Sequence, residues 1–293
     1  MTASSLDAPS AVHPDLESAP RARARPHVGW LLASAVVLVL LAMFGHLLLT
    51  SPRIQWSVVG HYFVSSAILQ GLLKTLELTA LGMLIGIVGG VLLAVMRLSH
   101  IPVLSSVSWL YIWFFRGTPL LVQIIFWYNL AALMPKLAFG IPFGPHDAGT
   151  SVNSLITPFM AGVLGLGLNE AAYMAEIVRG GILSIDSGQQ EAASALGMTW
   201  TQTMRRVVIP QAMRVIVPPT GNQVIGMLKS SALVSVTSMP ELLYSVQLVY
   251  NNTFQTIPLL IVASLWYLIV TTVLYVIQYY VERKFGRGNK RTS

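Results

Sequence analysis

The sequence predicts an all-α integral membrane protein with six transmembrane helices and one structured loop outside the lipid. Three observations carry this. Only 10% of the residues are charged while 54% are hydrophobic, with a mean hydropathy of +0.67; soluble domains carry about 25% charged residues. Six apolar stretches meet or approach the roughly 20 residues that cross a bilayer as a helix. The basic residues gather at the ends of those stretches on one side. Residues 1–28 are polar, with Pro, Ser, Ala and Arg, and are expected to be a disordered cytoplasmic tail. The first span, Trp30 to Leu49 within a segment of 29–50, is longer than a signal-peptide core and lacks a clear small-x-small site, which favours an uncleaved helix.

The second span runs from about Leu72 to Met96 and the third lies within Leu104 to Met134. The fourth covers roughly Leu155 to Val178, the fifth Val215 to Val236, and the last Ile257 to Val281. Gly82, Gly86 and Gly90 in the second span allow close helix approach, which is ordinary bundle packing. A cytoplasmic N-terminus puts fourteen Lys and Arg inside and three outside, Arg53, Lys74 and Lys136, with Lys229 left in a span. The C-terminus is then cytoplasmic too, with a basic tail at 286–293. The outer loops become Ser51 to about Gly71, Pro135 to Ser154, and a short one near Pro240 to Thr256.

Composition excludes several functions. The chain has no cysteine, so disulfides and thiolate chemistry are ruled out, and its six histidines form no i, i+4 pair that would suggest a metal site. The net charge of +7 comes from the flanks of spans, which argues against nucleic acid. There is no HExxH, no GxSxG and no phosphate loop; in the nearest approach, Gly221 to Ser230, two apolar residues separate Gly226 from Lys229. The chain therefore reads as a non-enzyme with no cofactor of its own.

The loop from about 186 to 210 is too polar for lipid and too long for a tight turn. Asp186 or Ser187 can cap a short helix. Glu191 lies in its first turn, where the helix dipole favours a carboxylate, and Ala192, Ala193 and Ala195 are strong helix formers. Gly197 suits a left-handed end. Thr199 can cap a second helix in which Trp200, Thr203, Met204 and Val207 form one stripe, and Pro210 closes the unit. Pattern alone leaves two uses open, docking of another protein or anchoring of the loop.

The spacing Glu191-Ala192-Ala193, Gly197, then Ile209-Pro210 closely resembles the EAA loop of permease subunits of ATP-binding-cassette importers. Gly71-Leu72-Leu73-Lys74-Thr75-Leu76-Glu77, Phe115-Arg116-Gly117-Thr118-Pro119 and Pro218-Pro219-Thr220-Gly221-Asn222-Gln223 look like the branch that imports polar amino acids. The similarity covers about residues 66–285. It implies a five-helix permease core plus one extra N-terminal span, in a bacterial inner membrane. It implies a coupling helix, carried here by Gln190, Glu191, Ala192, Ala193, Ser194, Leu196 and Gly197, that meets a separate ATPase subunit holding ATP and magnesium. It also implies a second permease chain, an extracytoplasmic substrate-binding protein, and alternating access to a central site. Two departures stand out: the extra span, and Ser230 where the branch often has Asp beside Lys229.

Ionisable groups at membrane depth are functional candidates by default. Asn169, Glu170, Glu77, Gln223 and Lys229 are the expected substrate pathway. Glu77 can pair with Lys74, and Glu176 with Arg179, in local structural roles. Gly165 and Gly167 could loosen the helix beside Glu170. A carboxylate such as Glu170 suits the ammonium of an amino acid, and helix N-terminal amides or Lys229 suit its carboxylate. The competing expectation is a secondary transporter that uses the buried carboxylates to couple an ion gradient.

Overall fold

The computed structural model describes residues 28–138 and 149–285; the expected tails, 1–28 and 286–293, lie outside the described residues except for Val28, which opens the first helix. The chain divides into two units, Met1–Pro52 and Arg53–Ser293. The first contains α1 (Val28–Thr50), a 23-residue apolar helix with no Asp, Glu, Lys or Arg and none of its side chains buried.

The second unit opens with α2 (Trp56–Phe63) and α3 (Ser66–Leu98). The expected outer loop at 51–71 is therefore largely helical. α4 (Pro102–Gly117) and α5 (Leu120–Tyr128) replace the single third span, with a bend of 101° between them. The break is local chemistry: Pro119 disfavours helix at Thr118 and has no N–H to give the ladder. A short α6 (Leu130–Leu133) leads to an antiparallel ribbon of β1 (Lys136–Ala138) and β2 (Gly149–Ser151), then α7 (Val152–Leu155).

α8 (Pro158–Leu183) follows, capped by Thr157. It packs along α3 through a seam of small residues. A Cβ on Gly82 would meet Leu166 at 3.4 Å, one on Gly86 would meet Cγ of Glu170 at 2.5 Å, and one on Gly90 would collide with Met174. Both sets advance by four residues, so the helices run in the same direction with matched turns. The expected loosening at Gly165 and Gly167 does not occur. α8 is unbroken there, because both glycines are pressed against side chains, Ile124 and Ile85.

After α9 (Ser187–Ala195) the chain enters one long run, Trp200–Thr237. It comprises α10 (Trp200–Thr203), a π turn at Met204–Val208, α11 (Ile209–Ser230) and a 3-10 segment at Ser231–Thr237. This corrects the expectation that Pro210 ends the loop. Proline is tolerated in a helix's first turn, and here it only removes the donor that the Arg206 carbonyl would use. The ladder relaxes into a π turn, and the Gln211 side chain donates to the Val207 carbonyl at 3.0 Å.

The segment expected as a short outer loop near 240–256 is mostly α12 (Leu242–Thr253), set at 47° to the preceding run. α13 (Thr256–Phe285) closes the described chain. At one end of the unit Val59, Ile68, Leu242, Val246 and Leu259 form a core. Leu78, Ile124, Leu166, Met227 and Val234 fill the middle. Ala94, Met174, Val178, Ala212 and Ile216 pack near the α9 end.

Among the described residues α1, α3 and α13 are each long and apolar enough to cross a membrane, and up to five spans result if each bent pair counts as one. This is an all-α membrane architecture apart from the small ribbon. α8, the expected fourth span, is not among the five. Asn169, Glu170, Glu176 and Arg179 lower its apolarity, and burial against α3, α5 and α11 supplies its environment.

Candidate functional site

Among the described residues, two places hold the residues that the sequence singles out, and the first is the loop. Asp186 caps α9 by accepting the Gly188 N–H at 2.7 Å. Gly197 takes the left-handed conformation, φ 74°, that lets the chain reverse. Thr199 and Gln202 form a reciprocal capping box at the start of α10. Of the seven residues expected to couple, only Ala193 is buried, and the helix packs on α10 and the π turn that follow it; Gln190, Glu191, Ala192, Ser194, Leu196 and Gly197 are exposed. The expected stripe of the second helix is divided: Thr203 is buried, while Trp200 faces outward at 76% exposure and Leu196 beside it at 82%. Two large apolar side chains therefore project from the most polar segment of the chain.

The second place is a cavity of about 240 Å³ lined by Leu120, Asn169, Glu170, Tyr173, Gln223 and Ser230, among others. It joins α5, α8 and α11, three elements that the sequence separates widely. Asn169, Glu170 and Gln223 from the expected pathway meet here. Lys229 and Glu77 do not line it: Lys229 is exposed near the end of α11, and Glu77 is held by Lys74 at 2.7 Å. Glu176 pairs with Arg179 at 2.8 Å, as its spacing suggested.

Glu170 is 7% exposed, and its Oε1 has no hydrogen-bond partner. Gln223 is its polar neighbour on the cavity wall. A buried carboxylate oxygen without a donor is costly, and Glu170 is the acidic residue on the wall of this cavity. Asn169 is committed differently. Its Nδ2 donates to the Phe115 carbonyl at 3.0 Å and to Oε1 of Gln123 at 3.2 Å. Gln123 Nε2 donates in turn to the Phe115 carbonyl and to Thr118 Oγ1. The two amides hold the α4–α5 bend, and with it the position of Leu120 on the cavity wall.

Sequence reading missed Gln123 and also Glu241. The latter is fully buried and caps α12, its two oxygens accepting the Tyr244 and Leu243 N–H groups at 2.7 and 2.9 Å. Thr75 on α3 and Tyr267 on α13 donate their hydroxyls to it at 3.3 and 3.2 Å. It is the knot that ties three helices together. An acid just after Met239-Pro240 and before an apolar run is the capping signal that could have found it.

A larger hollow of about 910 Å³ lies between α3, α8, α11 and α13. Its walls are mostly apolar, with Arg205, Gln278 and Glu282 among the exceptions.

The sequence profile of the family described as binding-protein-dependent transport system inner membrane component matches residues 86–287. The chain is 45% identical over 268 residues to an arginine transport system permease protein, ArgU, of Corynebacterium glutamicum, covering 91% of this chain and 83% of that protein. It is 38% identical over 218 residues to a probable amino-acid ABC transporter permease protein, PatM, of Vibrio harveyi, covering 74% and 91%. Among solved structures, one chain of an amino acid ABC transporter crystallised with histidines is 37% identical, with a TM-score of 0.64, over 74% of this chain and 94% of that one.

Proposed function

The chain belongs to the binding-protein-dependent transport system inner membrane components, and we propose that it carries a polar amino acid inward by alternating access, driven by a separate ATPase that docks on α9. As a family member it is an amino acid permease of an ATP-binding-cassette importer, a multi-pass membrane component and not an enzyme. The ATPase reading rests on one observation above all. A helix that makes few contacts with the rest of the chain is nevertheless rigidly capped at both ends and presents Leu196, with Trp200 beyond it, to its surroundings. Such a surface is suited to enter a cleft on another protein.

Force applied to α9 reaches the bundle along a short path. Gly197 turns the chain directly into the run Trp200–Thr237, and α11 within that run carries Gln223 and Ser230 on the cavity wall. Rigid-body displacement of α11 against α8 opens or closes the cavity, which is alternating access in physical terms. Six spans result when the buried α8 is counted with the five apolar ones, with α9 and both termini in the cytoplasm. A second permease chain, the ATPase pair with its ATP and magnesium, and an extracytoplasmic binding protein complete the importer.

Glu170 is the group that receives the substrate's ammonium, with Gln223 as its polar neighbour. Lys229 and Glu77 stand outside this cavity and act, if at all, on other stretches of the path. The gradient-driven alternative is not favoured, since the family is that of ATP-binding-cassette importers. In vesicles reconstituted with permease, ATPase and binding protein, uptake should need internal ATP and survive collapse of ion gradients. Glu170→Gln should depress uptake while the ATPase still co-purifies. Uptake that follows the gradient, or kinetics unchanged by Glu170→Gln, would remove the corresponding half of the reading.

A further inference from the structure

We propose that Phe254, in the turn between α12 and α13, is the knob on which the substrate-binding protein seats itself at the outer face of the permease. This rests on the importer reading above. Among the described residues no large apolar side chain is more exposed than Phe254, at 88%. It also holds a left-handed backbone, φ 58° and ψ 18°. Glycine or asparagine suits a helix end of that kind, whereas a bulky residue there is a strained exception. Gln55 and Ser238, the other described non-glycine residues at positive φ, are both polar. The Phe254 ring thus gives the fold no burial while the backbone beneath it is strained, and such strain persists where a function holds it.

The turn is on the side of the bundle away from α9. Gln278 on α13 donates to the Pro218 carbonyl and to Asn222 of α11, at 3.4 and 3.1 Å. Val281 and Glu282, further along α13, line the large hollow with Trp200 and Arg205, so the start of α13 points away from the loop. Thr256 begins α13 roughly 33 Å before Gln278, about the thickness of a bilayer's hydrocarbon core. The setting of the ring is polar and uncharged: Asn251, Asn252 and Thr253 precede it, and Gln255 and Thr256 follow. Such amides and hydroxyls belong in water and not among lipid tails. The turn is also stiff. The Phe254 N–H donates to the Tyr250 carbonyl at 2.8 Å, the Asn252 amide to the Leu248 carbonyl at 2.8 Å, and the Thr253 hydroxyl to the Val249 carbonyl at 2.9 Å. A fixed aromatic rimmed by hydrogen-bonding groups has the make-up of an interface hot spot. The description of the family names dependence on a binding protein, and an ATPase on α9 stands on the opposite side. The partner's matching surface is an apolar socket with a neutral polar rim.

The test uses the permease–ATPase complex in lipid nanodiscs, where both faces are open, and the binding protein that supports ATP-driven uptake by the wild-type complex in vesicles. The readout is the concentration of substrate-loaded binding protein that gives half-maximal stimulation of ATP hydrolysis. Phe254→Gly and Phe254→Asn should each raise it about tenfold or more, the scale of an interface hot spot. The rise should be the same in low and high salt, because no charge is lost. ATPase co-purification should be retained, and Phe254→Trp should keep most of the wild-type response. The glycine and asparagine variants should melt at or above the wild-type temperature, since both residues relieve the left-handed strain. An unchanged half-maximal concentration in both variants overturns the inference and leaves the importer reading standing; it is the result expected of a ring that meets only lipid. A melting temperature below wild type in both variants also overturns it, by assigning the ring to the fold. If no binding protein supports uptake by the wild-type complex, the importer reading has failed and this inference falls with it.

Discussion

Replacing Gly86 by alanine tests whether the α3–α8 seam sets the position of Glu170. The added Cβ would lie 2.5 Å from Cγ and 2.8 Å from Cβ of Glu170, where ordinary contact is 3.4–4 Å. Those atoms are near the backbone, so the rotamer alone cannot yield; the helices must part by about 1 Å, at the 1–3 kcal/mol typical of overpacking. Alanine also favours the helix over glycine by about 1 kcal/mol. A control removes that second effect. Gly180 is on α8, and a Cβ there meets nothing within 4 Å. Gly180→Ala therefore gains the propensity and suffers no strain. The difference between the two variants isolates the seam. For a chain of this size it corresponds to roughly 3–10 °C in melting temperature, read by scanning fluorimetry of the purified complex. Uptake by Gly86→Ala should fall with ATPase assembly retained. If both variants melt together, or Gly86→Ala transports normally, the seam does not position Glu170.

Glu241→Ala strands two amides and two hydroxyls in a buried site and should cost about 3 kcal/mol or more, with Glu241→Gln less severe; a melting temperature within error of wild type for the alanine variant would contradict the knot. Thr199→Ala removes one half of the capping box, a loss of about 1 kcal/mol, and should speed amide exchange over Trp200–Thr203 without touching α3; unchanged exchange there would refute the assigned cap.

The loop was the most legible part of the chain because its signals are local. Asp186, Gly197 and Thr199 each act on backbone groups within a few residues, and each does what its side chain suggests. Pro210 was legible as a lost donor but not as a π turn, since the relaxation depends on what the neighbouring helix tolerates. α12 was hidden because twelve residues fall short of a span; Glu241 before its apolar run is a local capping signal, but nothing local places that cap in a buried knot. The partners of that knot are 166 and 26 residues away. The same distance problem blurred the candidate site. Asn169, Glu170 and Gln223 were recognisable as polar residues at depth, but only packing separates a clamp (Asn169) from an unpartnered acceptor (Glu170), and only packing moves Lys229 and Glu77 off the cavity wall.

Transmission of ATPase force through the exposed α9 surface is most directly tested by co-purification of the ATPase with Glu191→Arg and Gly197→Asp permeases, alongside ATP-driven uptake. Glu191 is exposed and Gly197 requires its positive φ for the reversal, so each change should alter the docking face or its exit while leaving the bundle folded. The account predicts lost ATPase association and lost uptake in both, with an unchanged melting temperature for the Glu191→Arg permease. Full association and normal uptake in both variants would contradict it.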